Sequence, residues 1–151
     1  MPQKLKVFIS YAHVDEDIKT ELDKHLIGMK RSEKIAVWHD RKILAGEAWA
    51  PTIKKELEEA HIILLLISVD FNNSQYIWDK ELAIALQRHG QGTARIIPII
   101  ARTCDWHDMP YAKLQALPTG AKPITSFPDR DMAYTEIAKG IRAVVEWMLN
   151  K

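Results

Sequence analysis

Apolar residues recur along this chain in two alternating patterns, as short continuous runs and as stripes at helical spacing. The continuous runs are typical of buried strands and predict five of them, at residues 6–10, 35–38, 62–67, 95–100 and 123–125. Between the runs, apolar residues three and four positions apart predict helices with one buried face. The stripes consist of Ile18, Leu22, Leu26 and Met29, of Trp49, Ile53, Leu57 and Ala60, and of Ile137, Ile141, Val144 and Met148.

Strands that alternate with helices predict an α/β fold. Right-handed crossovers place successive parallel strands in one doubly wound sheet with helices on both faces. The carboxyl ends of the strands then lie along one rim of the sheet. The connections that follow the strands, at residues 11–14, 40–46, 68–74 and 101–104, are therefore predicted to meet around one crevice.

One carboxylate is predicted to lie at that rim. The strand at 62–67 stops at Ser68, a polar connection follows, and the next helix carries Trp78 and Glu81 in its first turns and ends near Gly90. A carboxylate just past the carboxyl end of a central strand makes Glu81 a candidate catalytic group. The alternative is a helix-surface glutamate that stabilises the first turn through the helix dipole.

Composition and charge narrow the class of protein. The 151 residues suit a single domain, and the net charge of +1 gives no indication of a nucleic-acid partner. The single cysteine, Cys104, excludes an intrachain disulfide and fits a reducing compartment. The longest apolar run is too short for a bilayer, which needs about 20 residues, and the start has no signal-peptide layout. A cytoplasmic chain without a membrane partner is expected.

Several other chemistries lack their motifs in this sequence. The six glycines form neither a G-x-G-x-x-G turn nor a P-loop, so we expect no cofactor bound in the Rossmann manner. Cys104 and His107 give one possible ligand pair, too few for a zinc site, so no metal is expected. A phosphoacceptor receiver domain needs acidic residues where this chain has Ser10-Tyr11 and Ser68.

Three segments resemble the TIR (Toll/interleukin-1 receptor) domain family, in its prokaryotic type. Val7-Phe8-Ile9-Ser10-Tyr11 is similar to the opening strand motif of that family. Val37–Asp40, followed by Gly46–Trp49, is similar to its second strand and BB loop. Tyr76–Leu82 is similar to the segment that carries the catalytic glutamate of TIR enzymes. The resemblance covers nearly the whole chain and implies a flavodoxin-like, mostly parallel sheet of five strands.

The resemblance also implies an activity. TIR enzymes hydrolyse or cyclise NAD+ with release of nicotinamide, so NAD+ is the expected substrate, no cofactor is expected, and Glu81 is the expected catalytic carboxylate. Many of these enzymes place a tryptophan four residues before the glutamate, whereas here Ile77 holds that position and Trp78 follows it. On an α-helix both spacings keep the pair on nearly the same face.

The substrate-binding residues that the resemblance implies each have a structural alternative. Tyr11 and Asp40 end strands on the rim, where they either line the ribose or pyridine pocket or cap a loop. Trp49 is expected to pack in the core in preference to binding substrate. Trp78 either stacks on nicotinamide or packs under the sheet, and Ser68 either serves the site or caps the strand end.

Two function classes fit this family. The first is an NAD+ glycohydrolase of bacterial immunity, an anti-phage effector that becomes active when copies assemble. The second is a non-catalytic adaptor that acts through homotypic TIR–TIR contacts. The chain is either a stand-alone effector or the N-terminal domain of a longer protein, with a fused or separate sensor region. The BB-loop residues expected to mediate self-association are Arg41, Lys42, Ile43, Leu44, Ala45, Gly46 and Glu47.

Overall fold

A four-stranded parallel sheet lies between two layers of helices in the computed structural model, which describes residues 4–151. The first three residues, to which the expectation of a start without a signal peptide applies, lie outside that range. The strands are ordered β2-β1-β3-β4, so the chain reverses its direction of winding between β1 and β3. They are β1 at Leu5–Ser10, β2 at Ile35–Trp38, β3 at Ile62–Ile67 and β4 at Arg95–Ile100.

Six α-helices connect and follow the strands. They are α1 at Glu16–His25, α2 at Ile27–Arg31, α3 at Trp49–Glu59, α4 at Val69–Asn73, α5 at Ala83–Gly90 and α6 at Arg130–Leu149. A π-helical turn at Ile77–Leu82 runs directly into α5. Short 3-10 turns occupy His13–Asp15, Asp40–Lys42, Thr119–Ala121 and Ile124–Ser126. Within residues 4–151, no helix is both long and apolar enough to cross a membrane.

The central strand β3 is buried on both faces, as its uninterrupted apolar sequence predicts. Its alternate side chains enter two separate cores, because successive residues of a strand point to opposite faces. One face packs against α1 and α6 through Leu22, Leu26, Ile137 and Ile141. The other face packs against α3 and α5 through Ile53, Leu57 and Ala85. The sheet is thereby fixed from both sides, and its carboxyl rim is a rigid base for a site.

The prediction of a fifth strand at residues 123–125 is wrong. Ile124 is fully buried in a 3-10 turn, and the preceding Pro123 has no N–H to donate to a strand ladder. A single residue, Leu117, lies against the outer edge of β4 in its place. Its N–H donates to the Pro98 carbonyl at 2.9 Å, and its carbonyl accepts from the Ile100 N–H at 2.8 Å. Pro98 is tolerated because β4 is an edge strand of the sheet. The Pro98 nitrogen, which carries no hydrogen, faces this outer edge, so no hydrogen bond to β3 is lost.

Gly140 in α6 makes a close approach to the segment beside β4. A Cβ at this position would lie 2.7 Å from Cδ1 of Leu117. Alanine normally stabilises a helix interior by about 1 kcal/mol relative to glycine. We expect Gly140→Ala instead to lower the free energy of unfolding by about 1 kcal/mol, because overpacking outweighs that gain. Urea unfolding of the two proteins measures the difference.

The Leu117→Ala background is the control for this prediction. With the leucine side chain removed, Gly140→Ala should stabilise the protein by its helix propensity, so the two substitutions should couple strongly. A stabilising effect of Gly140→Ala in the wild-type background would show that Leu117 moves aside at no cost.

Candidate active site

Glu81 lies at the reversal of winding between β1 and β3, held inward by the π-helical turn. Glu81 is only 7% exposed, so the alternative of a glutamate on the helix surface is wrong. Its Oε1 accepts a hydrogen bond of 2.6 Å from the hydroxyl of Ser10, the last residue of β1. Ligands of open α/β sheets bind at such a reversal, beyond the carboxyl ends of the strands.

The π-helical turn decides which neighbours share the face of Glu81. Its hydrogen bonds join residues five apart, so a residue four positions earlier shares the face of Glu81 more closely than one three positions earlier. Ile77 accordingly lines the cavity with Glu81. Trp78 packs with the core under β3, and its indole N–H donates to the Asn72 carbonyl at 2.7 Å. The expectation that Trp78 and Glu81 lie on nearly the same face is therefore wrong.

A cavity of about 520 Å³ opens in front of Glu81. The loop after β1, the turn after β2, the start of α3 and the residues between α4 and α5 enclose it. Apolar and aromatic side chains form most of its wall, with a few polar groups among them, as in small-molecule sites. Its lining consists of Tyr11, Ala12, His13, Asp40, Ile43, Trp49, Ile53, Ser74, Tyr76, Ile77 and Glu81.

Asp40 and His13 form a polar pair within this lining. Asp40 Oδ2 lies 2.5 Å from His13 Nε2, while Asp40 Oδ1 is buried and has no hydrogen-bond partner among residues 4–151. Tyr11 is nearly buried beside them, and burial, with the Asp40 charge as a further cause, raises the pKa of its hydroxyl. Asp40 is therefore held among polar and aromatic side chains in the wall of the cavity.

Trp49 and Tyr76 form an aromatic pair in the cavity lining, with ring centroids 5.3 Å apart. Trp49 is 56% exposed, so the expectation that it packs in the core is wrong. It is the first residue of α3, ahead of the turns whose Ile53 and Leu57 reach the sheet. The pair presents an apolar, electron-rich surface to the cavity.

Burial governs the charge of Glu81. The low-dielectric surroundings raise the pKa of its carboxyl from 4.5 to about 7, and the Asp40 charge acts in the same direction. The hydrogen bond from Ser10 favours the ionised form and opposes this rise. Glu81 therefore changes protonation state close to neutral pH, a property typical of catalytic carboxylates.

Ser68 and the loop after β4 belong to a different part of the rim. The Ser68 hydroxyl accepts from the Phe71 N–H at 3.1 Å, capping α4, and donates to the Asp15 carboxylate at 2.5 Å. Arg102 pairs with the same carboxylate at 2.6 Å and with Asp70. The predicted single crevice is therefore wrong for Ser68 and for residues 101–104, and these groups stabilise the rim from outside the cavity.

The segment at residues 41–47 connects the cavity to the protein surface. Ile43 lines the cavity, whereas the next residue, Leu44, is 72% exposed. The Leu44 N–H donates to the Glu47 carboxylate at 2.7 Å, and Gly46 provides the positive φ of 91° that closes the turn. Ala45 is exposed at the tip. The segment is thus a folded turn with an apolar outer face.

The two basic residues at the start of this segment bond back to the fold. Arg41 pairs with Glu16 of α1 at 2.6 Å, and the Lys42 ammonium donates to the Val37 carbonyl. These contacts fix the direction in which the segment leaves β2.

Three groups of the site were not predicted from the sequence as site residues. His13 and Tyr76 line the cavity, and Ser10 bonds to Glu81 behind it. Only the positions of Ser10 and His13, at and after the end of β1, could have marked them. No cluster of three or more histidine, cysteine, aspartate or glutamate side chains arranged to hold a metal ion occurs in the described part of the chain.

Comparison with known proteins relates this geometry to a family. Residues 7–138 match the family model described as TIR domain. The chain is 47% identical over 136 residues to the protein y4lF of Sinorhizobium fredii (strain NBRC 101917 / NGR234). That match covers 90% of this chain but only 42% of the relative, so the chain spans less than half of the relative's length.

Solved structures with the same fold are more distant in sequence. The TIR domain of the Toll-related receptor TRR-2 from Hydra magnipapillata is 23% identical, with a TM-score of 0.61, and the match covers 90% of this chain and 97% of that one. The TIR domains of the activated Roq1 resistosome, which recognises the pathogen effector XopQ, are 16% identical, with a TM-score of 0.65 and coverage of 91% and 99%. Identities this low show the shared fold alone.

Proposed function

This chain belongs to the TIR domain family, and on that premise we propose that it cleaves NAD+ between nicotinamide and ribose. The family includes NAD+-cleaving enzymes. The observation that carries the proposal is the buried Glu81 carboxylate at the base of a cavity of about 520 Å³, a volume suited to one small ligand. The product is either ADP-ribose or a cyclic isomer of it.

One carboxylate is sufficient for this reaction. The C1′–N1 bond breaks with its electron pair moving to the nicotinamide nitrogen, so a cationic ring leaves as a neutral base and needs no general acid. The oxocarbenium-like ribose that develops is stabilised by the ionised Glu81. Water, or a nucleophilic nitrogen of the adenine in a cyclisation, then bonds to C1′, and hydrolysis releases one proton.

The remaining cavity groups suit the nicotinamide ring of NAD+ and the ribose to which it is bonded. The nicotinamide ring of NAD+ is a cation, and the Trp49–Tyr76 pair offers the aromatic surface that attracts such a ring. Asp40 lines the same cavity, and its carboxylate is an acceptor for a ribose hydroxyl or for the carboxamide. The two carboxylates in the cavity, Asp40 and Glu81, also favour the cationic nicotinamide ring at this position.

NAD+ consumption with separation of the products tests the proposal. The assay uses concentrated protein with a crowding agent and follows nicotinamide together with ADP-ribose and its cyclic isomers. Release of nicotinamide supports the proposal, and the second product distinguishes hydrolysis from cyclisation. No cleavage by a folded, demonstrably clustered protein would overturn it.

The second candidate function is a non-catalytic adaptor, and the exposed segment at residues 41–47 favours it. Leu44 is 72% exposed and Trp49 is 56% exposed, which makes apolar side chains available to a partner. The TIR domains of RPS4 and RRS1, which form a heterodimer, match 93% of this chain at 9% identity with a TM-score of 0.58. An adaptor would self-associate without consuming NAD+.

Assembly should control the activity. Because the turn at residues 41–47 both lines the cavity and exposes Leu44, contact with a second copy at this turn would act on the site directly. We expect specific activity to rise with protein concentration, and Leu44→Asp to lower it about tenfold under clustering conditions. Initial rates measured across a protein dilution series, with light scattering of the same samples, provide the test.

Met132→Asp is the matched control, since Met132 is also an exposed apolar side chain, at 59%, but lies on α6. This variant should keep the concentration dependence of the wild type. Strong activity in a strictly monomeric sample would contradict the prediction. We propose that a sensor region, fused or separate, gathers copies during an immune response to phage.

A further inference from the structure

We propose that Ser10 is the positioning residue for the catalytic carboxylate, holding Glu81 in one orientation through its hydroxyl. This inference rests on the proposed NAD+ cleavage and assigns a role to Ser10, which the family resemblance includes in the opening strand motif without a role in the site. It is carried by the contact between the last residue of β1 and the π-helical turn, at 2.6 Å between Ser10 Oγ and Glu81 Oε1.

Both partners of this contact are inside the protein. Ser10 is 1% exposed and Glu81 is 7% exposed, so water competes little for the hydrogen bond. The serine is the last residue of β1 and pairs with Leu65 of the central strand β3, so the sheet fixes its position. Within residues 4–151, Ser10 is the hydrogen-bond partner of the Glu81 carboxylate.

The contact has a definite consequence for the chemistry. With Oε1 engaged by the serine hydroxyl, rotation of the carboxyl group is restricted and Oε2 remains available for the substrate. A glutamate side chain has several rotatable bonds, and a pre-formed orientation saves the cost of ordering them when the substrate binds. A hydrogen bond donated to a carboxylate also stabilises its charged form, which is the form that the reaction needs.

A purely structural role for the same contact makes a different prediction. Two buried polar groups can pair simply to satisfy one another, and then the loss of the serine hydroxyl would lower stability without altering catalysis beyond the loss of folded protein. The pH dependence separates the two roles. In the wild type, kcat/KM should rise with pH through about 7, because burial raises the pKa of Glu81 to that value.

Ser10→Ala is the test variant. We expect its kcat on the alkaline plateau to fall about tenfold while KM changes less than twofold, since orientation is lost and binding is retained. We also expect the midpoint of the acid limb to rise by about one pH unit, because the donor to the charged carboxyl is gone. Ser10→Thr restores a hydroxyl at the same atom and should return both values towards the wild type.

Ser68→Ala is the matched control. Ser68 is also a fully buried serine at the end of a central strand, but its hydroxyl binds Asp15 and caps α4. Its loss should lower the melting temperature and leave the titration of Glu81 unchanged. A direct readout is NMR titration of the 13C-labelled Glu81 carboxyl in wild type, Ser10→Ala and Ser68→Ala.

The outcomes separate this inference from the proposed function. If the wild type cleaves NAD+ and Ser10→Ala keeps its kcat and its pH midpoint, the positioning role is overturned and the proposed function stands. If the wild type does not cleave NAD+, the proposed function fails. The NMR titration then decides alone: a raised pKa of Glu81 in Ser10→Ala supports the positioning contact, and an unchanged one overturns it.

Discussion

Glu81→Gln should lower kcat for nicotinamide release by about 1,000-fold at saturating NAD+. Glutamine keeps the size of the side chain and an oxygen that can accept from Ser10, so the 2.6 Å contact and the shape of the cavity can persist. Only the negative charge is lost, and that charge is what stabilises the oxocarbenium-like ribose. The large effect follows because a buried site offers no water to replace the missing charge.

The measurement is the rate of nicotinamide release by wild type and variant under the same clustering conditions. Substrate binding should survive, since the aromatic pair and Asp40 are unchanged, and saturation-transfer NMR with NAD+ measures it separately. Glu58→Gln, an exposed position on α3, is the matched control and should keep wild-type activity. Retention of more than a tenth of the wild-type kcat in Glu81→Gln would remove Glu81 from the catalytic role.

The strands of this fold could be predicted from the sequence because their apolar residues form short continuous runs. A continuous apolar run as short as Ile62–Ile67 favours a strand over a buried helix, and such runs are typical of strands that are buried on both faces. The fifth strand, at residues 123–125, was predicted on the same ground, the burial of apolar residues, and that prediction is wrong. Ile124 is buried too, but a single apolar residue in a 3-10 turn satisfies burial without a ladder.

The candidate site was predicted in part, and the division has a physical cause. Glu81 could be found from its place after β3 and from the family motif, since both depend on local sequence. The direction of Trp78 relative to Glu81 could not be predicted, because a π-helical turn leaves no signature in the spacing of apolar residues. The turn rotates Trp78 out of the cavity. The contact from Ser10 joins residues 71 positions apart, and no local pattern encodes it.

Glu81→Gln should also make the protein more stable, by about 3 kcal/mol at pH 8. Burial raises the pKa of Glu81 from 4.5 to about 7. Below pH 4.5 the carboxyl is protonated in both the folded and the unfolded chain, so ionisation contributes nothing to the difference. Between 4.5 and about 7 the unfolded chain loses this proton while the folded chain keeps it, and the free energy of unfolding falls as pH rises. Above that range the cost is constant.

Urea unfolding of wild type and Glu81→Gln at several pH values between 5 and 8 measures this effect. The stability difference should be small at the acid end, grow steadily, and level off above the pKa of about 7. Glu58→Gln, at an exposed position on α3, is the control for the substitution itself. A stability difference between wild type and Glu81→Gln that is the same at every pH would mean that burial does not raise the pKa of Glu81. An inactive but stabilised variant, in contrast, is what a buried catalytic carboxylate requires, since the same burial that lowers stability strengthens its field on the substrate.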